Sequence, residues 1–193
     1  VEELGIRQLL LPKAESSEQL SSVAEHLSFT PVLIPMIESA QGVDQVKALA
    51  AHPLTLRLSL GNIDLQVNLG LQCGPDELEI LPVRHQMLMA SRLADIAFPI
   101  DGVTTQIDSD VQLQQDILRA KRLGFQGKLC IHPKQVDAVI QGFQPTPQEI
   151  EHAKAVVAAD KAAHGGVVQI NGKMVDRPVV MLANLVLQKA GLT

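Results

Sequence analysis

Tryptophan and tyrosine are absent from this 193-residue sequence, and four phenylalanines make up the whole aromatic content of 2%. A chain so poor in rings offers almost no platform on which unpaired bases could stack. Positive charge is also in deficit, with 16 Lys and Arg against 21 Asp and Glu and a net charge of -5. No basic surface is expected to attract a phosphate backbone, so no nucleic-acid partner is predicted. Cysteine is limited to Cys73 and Cys130, in different predicted elements and without metal-type spacing. That excludes a disulfide framework and predicts reduced, inert thiols, with Cys130 in the core. No apolar run approaches the roughly 20 residues that span a bilayer, and the N-terminus lacks the basic-then-apolar pattern of a secretory signal. The expectation is a soluble, cytoplasmic protein without a membrane partner. Gly102, Gly124 and Gly127 read as turn or cap glycines and form no G-x-G-x-x-G turn after a strand, which excludes a nucleotide-binding Rossmann reading. No repeat of 20–50 residues is present.

What the chain does have is apolar mass, 46% of its residues, enough for a substantial core at this length. Short β-type runs at 6–11, 32–37, 55–60, 97–100 and 128–131 alternate with helix-type segments. This is the pattern of βα units around a parallel sheet. The runs are mostly apolar on both faces, as expected where helices or a closed barrel interior cover each side. Helices are predicted at 17–27, 43–51, 75–96, 108–123, 133–143 and 146–164, with Pro82 a kink or break in the longest. The tail, 165–175, reads as two strands around Asn171-Gly172, a strong hairpin signal. Asp176 then caps a last helix over 178–190. The division expected is a domain over 1–164 and a hairpin-helix extension over 165–193. Val1 stands where a Met would open a reading frame and the first strand follows almost at once, so further chain upstream is expected.

Two carboxylates stand out. Glu38 closes the run Val32-Leu-Ile-Pro-Met-Ile-Glu38, and Asp64 lies just beyond Leu56-Arg-Leu-Ser-Leu-Gly61. Parallel strands separated by one helix bring their C-terminal ends side by side, and two carboxylates there can share a hard divalent cation. From the residues alone, Glu38 reads equally as a metal ligand or as a cap of the helix that follows. Asp64 has the same alternative, as the N-cap of a turn.

Several phrases occur in order along the chain: Leu9-Leu-Leu-Pro-Lys13, Ile34-Pro-Met-Ile-Glu38-Ser-Ala-Gln-Gly42, Leu58-Ser-Leu-Gly-Asn-Ile-Asp64, Pro99-Ile-Asp-Gly-Val103, Gly124-Phe-Gln-Gly-Lys-Leu-Cys-Ile-His-Pro133 and Gly172-Lys-Met-Val-Asp-Arg-Pro178. Together they resemble the citrate lyase beta-subunit, CitE-like branch of the HpcH/HpaI aldolase/citrate lyase family. The resemblance implies a (β/α)8 TIM barrel of which this chain supplies about the last five βα units, followed by the C-terminal hairpin and helix. It implies Mg2+ as cofactor, with Glu38 and Asp64 as its ligands and Glu38 also bordering a bound oxoacid. The implied reaction is carbon–carbon cleavage of a 3-hydroxyacyl-CoA of citryl-CoA or malyl-CoA type to an oxoacid and acetyl-CoA, through a metal-stabilised enolate. Asp176 is implied as general acid/base, sometimes donated into a neighbour's site, and a homo-oligomer, commonly a trimer, is implied as the assembly.

Such chemistry needs no Lys Schiff base, so Lys13 reads as structural or as a nearby charge. His132 and Asp101, at strand ends, are candidates for orienting the ligand residues. Two departures from the family pattern are visible: Asn68 where relatives usually have Asp, and Leu60 where they usually have Phe. The family's substrate-binding Arg and the acidic segment near its metal map onto no residue here. The same scaffold also supports malyl-CoA thioesterase and malate-synthase-like reactions, and a non-catalytic oligomerisation or regulatory domain is the reading from another class.

Overall fold

The computed structural model describes residues 5–163, 168–170 and 173–192. Its centre is a parallel sheet of strands β1 (Gln8–Leu11), β2 (Val32–Ile37) and β3 (Ser59–Leu60), in that order. Parallel bridges extend the sheet, pairing Ser59 with Ile100 and Asp101 with Lys128. All five β-type runs predicted from the sequence therefore lie side by side in chain order. The last three are less regular than expected. The run at 55–60 enters a ladder only at Ser59–Leu60, and those at 97–100 and 128–131 make single bridges. Backbone bonds still join them, Ile100 N–H to Leu58 C=O at 3.0 Å and Leu129 N–H to Asp101 C=O at 2.9 Å. Pro99 has no N–H to contribute, which helps to interrupt regular pairing in its segment.

Burial on both faces was expected, and only one face has it fully. Along β2, Leu33, Pro35 and Ile37 are buried while Val32, Ile34 and Met36 are partly exposed. On β1, Leu10 is 41% exposed. Helices α1 (Ser17–Glu25), α2 (Ala40–Asp44), α3 (Val46–Ala51), α4 (Asn62–Leu69), α5 (Leu81–Leu93) and α6 (Asp110–Arg122) follow the strands, and bury Leu20, Leu49, Leu65, Met87 and Ile117 among others. Two of these differ from expectation. No helix was predicted over the eight residues of α4, and the helix predicted over 75–96 breaks rather than kinks, since α5 begins at Leu81 with Pro82 in its first turn, where a missing N–H costs nothing. Helix α6 ends as predicted, at Gly124 with φ +86°.

The chain divides into two compact units between Ile140 and Gln141, earlier than the expected 164/165 division. The reason is that α8 (Pro147–Ala162) packs on α9 (Arg177–Lys189). Helix α7 (Val136–Phe143) carries the boundary. Helix α8 opens with the predicted Thr146–Glu149 capping box. Strands β4 (Val168–Ile170) and β5 (Lys173–Val175) pair antiparallel; the Asn171-Gly172 turn proposed between them lies outside the described residues. Ala153, Val156, Val175, Ala183 and Leu187 form this unit's core. Among the described residues no helix is long and apolar enough to cross a membrane.

Candidate metal and substrate site

Glu38 directly follows β2 and is only 6% exposed. It is not the cap of α2, because Ser39 takes that role and accepts from Gly42 N–H at 3.1 Å. One Glu38 oxygen, Oε1, accepts the backbone N–H of Lys13 at 2.7 Å, and Lys13 holds a left-handed φ of +49° to present it. The other oxygen owes its place to Gly61. Met36 pairs with Ser59 and Ile37 with Leu60, so the register brings Gly61 beside Glu38. A Cβ at Gly61 would stand 2.4 Å from Glu38 Oε2 and 2.6 Å from Glu38 Cβ. The missing side chain is the space that the carboxylate occupies.

Asp64 lies in the first turn of α4, exposed, and Gly61 rather than Asp64 is that helix's N-cap. Burial raises the Glu38 pKa above its ordinary value, the Lys13 N–H opposes that, and the negative charge of Asp64 adds to the rise. The charge of Asp64, in the first turn of the helix after β3, thus reaches Glu38 at the end of β2. That repulsion disfavours the charged form of Glu38, and a divalent cation held beside it would offset the penalty. Among the described residues no group of three His, Cys, Asp or Glu side chains converges. Two hard oxygen donors fit Mg2+, which keeps waters and substrate oxygens as its remaining ligands, and fit Zn2+ poorly.

The remaining candidates fall elsewhere. Asp176 caps α9, accepting Val179 N–H at 3.3 Å, and belongs to the second unit. His132 accepts Lys134 N–H at 3.1 Å and starts a 3₁₀ turn at Pro133–Gln135. Cys130 is exposed, contrary to the expected core position, because its segment makes only the single bridge at Lys128 and no described strand pairs beyond it. Asp101 is fully buried and accepts Arg84 Nε at 2.9 Å in an internal ion pair.

That pair is part of a network which sequence reasoning missed. Glu77, with φ +48°, receives Asn62 Nδ2 at 2.7 Å, Gln66 Nε2 at 3.2 Å and Arg119 Nη2 at 2.9 Å, and it is ion-paired with Arg84. Burial would raise the Glu77 pKa, but the two guanidiniums and Asn62 hold it below the ordinary value. The network borders a polar cavity of about 250 Å³ whose lining includes Asn62, Gln66, Glu77, Thr104 and Asp116. Nothing local in the sequence marks Glu77 or Asn62; their meaning comes from segments folded together.

Residues 1–133 match the model of the HpcH/HpaI aldolase/citrate lyase family. The chain belongs to that family. The citrate lyase subunit beta of Escherichia coli (strain K12) is 37% identical over 165 residues, 83% of this chain and 54% of that protein. A (3S)-malyl-CoA thioesterase of Cereibacter sphaeroides (strain ATCC 17029) is 33% identical over 185 residues, 94% of this chain and 64% of that protein. The chain therefore spans between half and two thirds of these relatives' lengths. Among solved structures, the CitE protein of Mycobacterium tuberculosis in complex with magnesium, acetoacetate and coenzyme A superimposes with a TM-score of 0.83 at 29% identity, covering 96% of this chain and 68% of that one. These likenesses place the chain in the citrate lyase beta-subunit, CitE-like branch of the HpcH/HpaI family. Within it, Asn68 puts its amide to structural use: Oδ1 accepts Ala40 N–H at 2.8 Å and ties α4 to the start of α2.

Proposed function

We propose that this chain provides five consecutive βα units of a (β/α)8 barrel and the Mg2+ site of a carbon–carbon lyase acting on a 3-hydroxyacyl-CoA of citryl-CoA or malyl-CoA type. The observation that carries the proposal is the buried Glu38 carboxylate, seated over Gly61 and under the electrostatic influence of Asp64 at neighbouring parallel strand ends. The magnesium, acetoacetate and coenzyme A bound by the similar Mycobacterium tuberculosis protein support it.

In this reading Glu38 and Asp64 hold Mg2+, and Glu38 also borders the oxoacid. The ion supplies a Lewis acid for the charge that develops on the oxoacid oxygens. The substrate's 3-hydroxyl passes its proton to solvent water, its C–O bond becomes a carbonyl as the bond between C2 and C3 breaks, and the electron pair of that bond passes into the thioester as an enolate. Asp176, of this chain or of a neighbouring copy in a homo-oligomer, returns a proton to that carbon and completes acetyl-CoA. A trimer in the cytoplasm is the setting proposed.

The test is incubation with citryl-CoA, malyl-CoA, or acetyl-CoA plus glyoxylate, with Mg2+, for the parent chain and for Glu38→Gln. An oxoacid and acetyl-CoA from the parent alone support the lyase. Free CoA and malate instead support the thioesterase reading, which the Cereibacter sphaeroides relative favours. If the parent neither binds Mg2+ nor turns over any of the thioesters, the enzyme reading for this chain falls and a non-catalytic role replaces it.

A further inference from the structure

Helix α4 has a weakness where the proposed site most needs rigidity. It is only eight residues long, and its N-cap is Gly61, which supplies no side-chain hydrogen bond. The first four N–H groups of any helix lack partners within it, so an uncapped first turn is prone to fray. Asp64 sits in that turn. A carboxylate on a fraying turn would be a poor ligand, since holding it in place would have to be done anew at each binding event.

The structure compensates through Asn62. Its Oδ1 accepts Val103 N–H at 2.8 Å, and its Nδ2 donates to Val103 C=O at 3.0 Å and to Glu77 Oε1 at 2.7 Å. The amide thereby pairs with both backbone groups of Val103 as a neighbouring strand residue would, and ties the first helical residue to the loop that follows Asp101. Glu77 is itself fixed by Arg84 and Arg119, and it takes a second bond from Gln66, one turn along the same face of α4. Space for the arrangement comes from Gly102. A Cβ there would stand 2.1 Å from Asn62 Oδ1 and 2.4 Å from Asn62 Cγ. Asn62 is 2% exposed, so three buried bonds hold a side chain that has almost no freedom left.

We infer that Asn62, clamped between Val103 and Glu77 and accommodated by Gly102, is the positioning residue that holds Asp64 ready for the cation. The inference rests on the metal reading of Glu38 and Asp64, but the clamp can be tested apart from it. Residues that orient metal ligands commonly contribute 10–100-fold to affinity, which sets the effect to look for.

Mn2+, followed by the electron paramagnetic resonance signal of the free ion, serves as the probe. It is titrated into the full chain, Asn62→Ala and Gly102→Ala. Asn62→Ala leaves Glu77 paired with both arginines, so the buried charges stay balanced. Gly102→Ala keeps Asn62 but pushes its amide out of place. Both variants should bind Mn2+ at least about tenfold more weakly than the parent. Both should also show faster hydrogen exchange at residues 65–67, the first amides of α4 with helical acceptors, with exchange along β2 unchanged. Parent-like Mn2+ affinity in Asn62→Ala overturns the inference. A parent that binds no Mn2+ removes the metal reading, and exchange then decides the clamp alone: unchanged protection at 65–67 in both variants overturns it, while faster exchange confined to α4 upholds Asn62 as the clamp of that helix.

Discussion

Gly61 carries as much of the proposed site as either acid does. Its hydrogen side chain makes room for Glu38, so Gly61→Ala should drive the carboxylate aside and weaken Mg2+ binding by about tenfold or more, measured by titration calorimetry. The pair Arg84 and Asp101, 1% and 0% exposed, sets a different expectation. Arg84→Met leaves the buried Asp101 without its ion pair and Glu77 with Arg119 alone, and should cost about 3–5 kcal/mol in urea unfolding. Glu77 gives the pH dependence its sign. Its folded pKa lies below the ordinary 4.5, so its contribution is complete above that value and is lost as pH falls through 4.5 toward the folded value. Unfolding free energies from about pH 6 down to about pH 3 should fall less steeply in Glu77→Gln than in the parent. The placement of Glu38 at a strand end and of Asp64 just beyond the next strand was legible in the sequence, because each ends or follows an apolar run that predicts a strand. Gly61, Asn62 and Glu77 were not, because register and long-range hydrogen bonds give them their roles and no spacing announces either.

At the scale of elements, caps were the reliable signals. The Thr146–Glu149 box, Gly124 and Asp176 each stand where a helix starts or stops. The failures came where tertiary contacts override local preference. Helix α4 was not predicted, because Gly61-Asn62 has neither a side-chain cap nor strong propensity, and it is held from outside by Val103 and Glu77. Pro82 was read as a kink or a break, and the break is what occurs: α5 begins there because proline in a helix interior is costly. Asp176 combines a cap with a proposed acid, and substitution can separate the two. Asn caps as well as Asp, whereas Ala forfeits about 1 kcal/mol. Asp176→Asn should keep the parent's melting behaviour and lose lyase turnover, while Asp176→Ala should lose both. Full turnover in Asp176→Asn would leave this residue as a cap and nothing more.

For the whole molecule, the order of the five β-type runs was legible because a continuous apolar run between helices has few places to go other than a parallel sheet. The division into units was not, since amphipathicity marks an apolar face on α8 and α9 without naming its partner. The contacts name it: α8 and α9 bury Ala153, Val156, Ala183 and Leu187 together with Val175 of β5. The buried residues of the first unit include Leu33, Leu49, Leu60 and Met87. Leu187→Ala removes a side chain that is 7% exposed from a small cluster with little means of closing the gap. A loss of about 2–5 kcal/mol is expected in the second unit. Hydrogen exchange should therefore quicken across α8, α9 and β5, while β2 and α5 keep the parent's protection. Mg2+ affinity at Glu38 and Asp64 should be unchanged as well, since both ligands and the Asn62 clamp lie in the first unit. Equal quickening in both units would mean that the two cores unfold as one, and that the proposed metal site depends on the C-terminal helices for its stability.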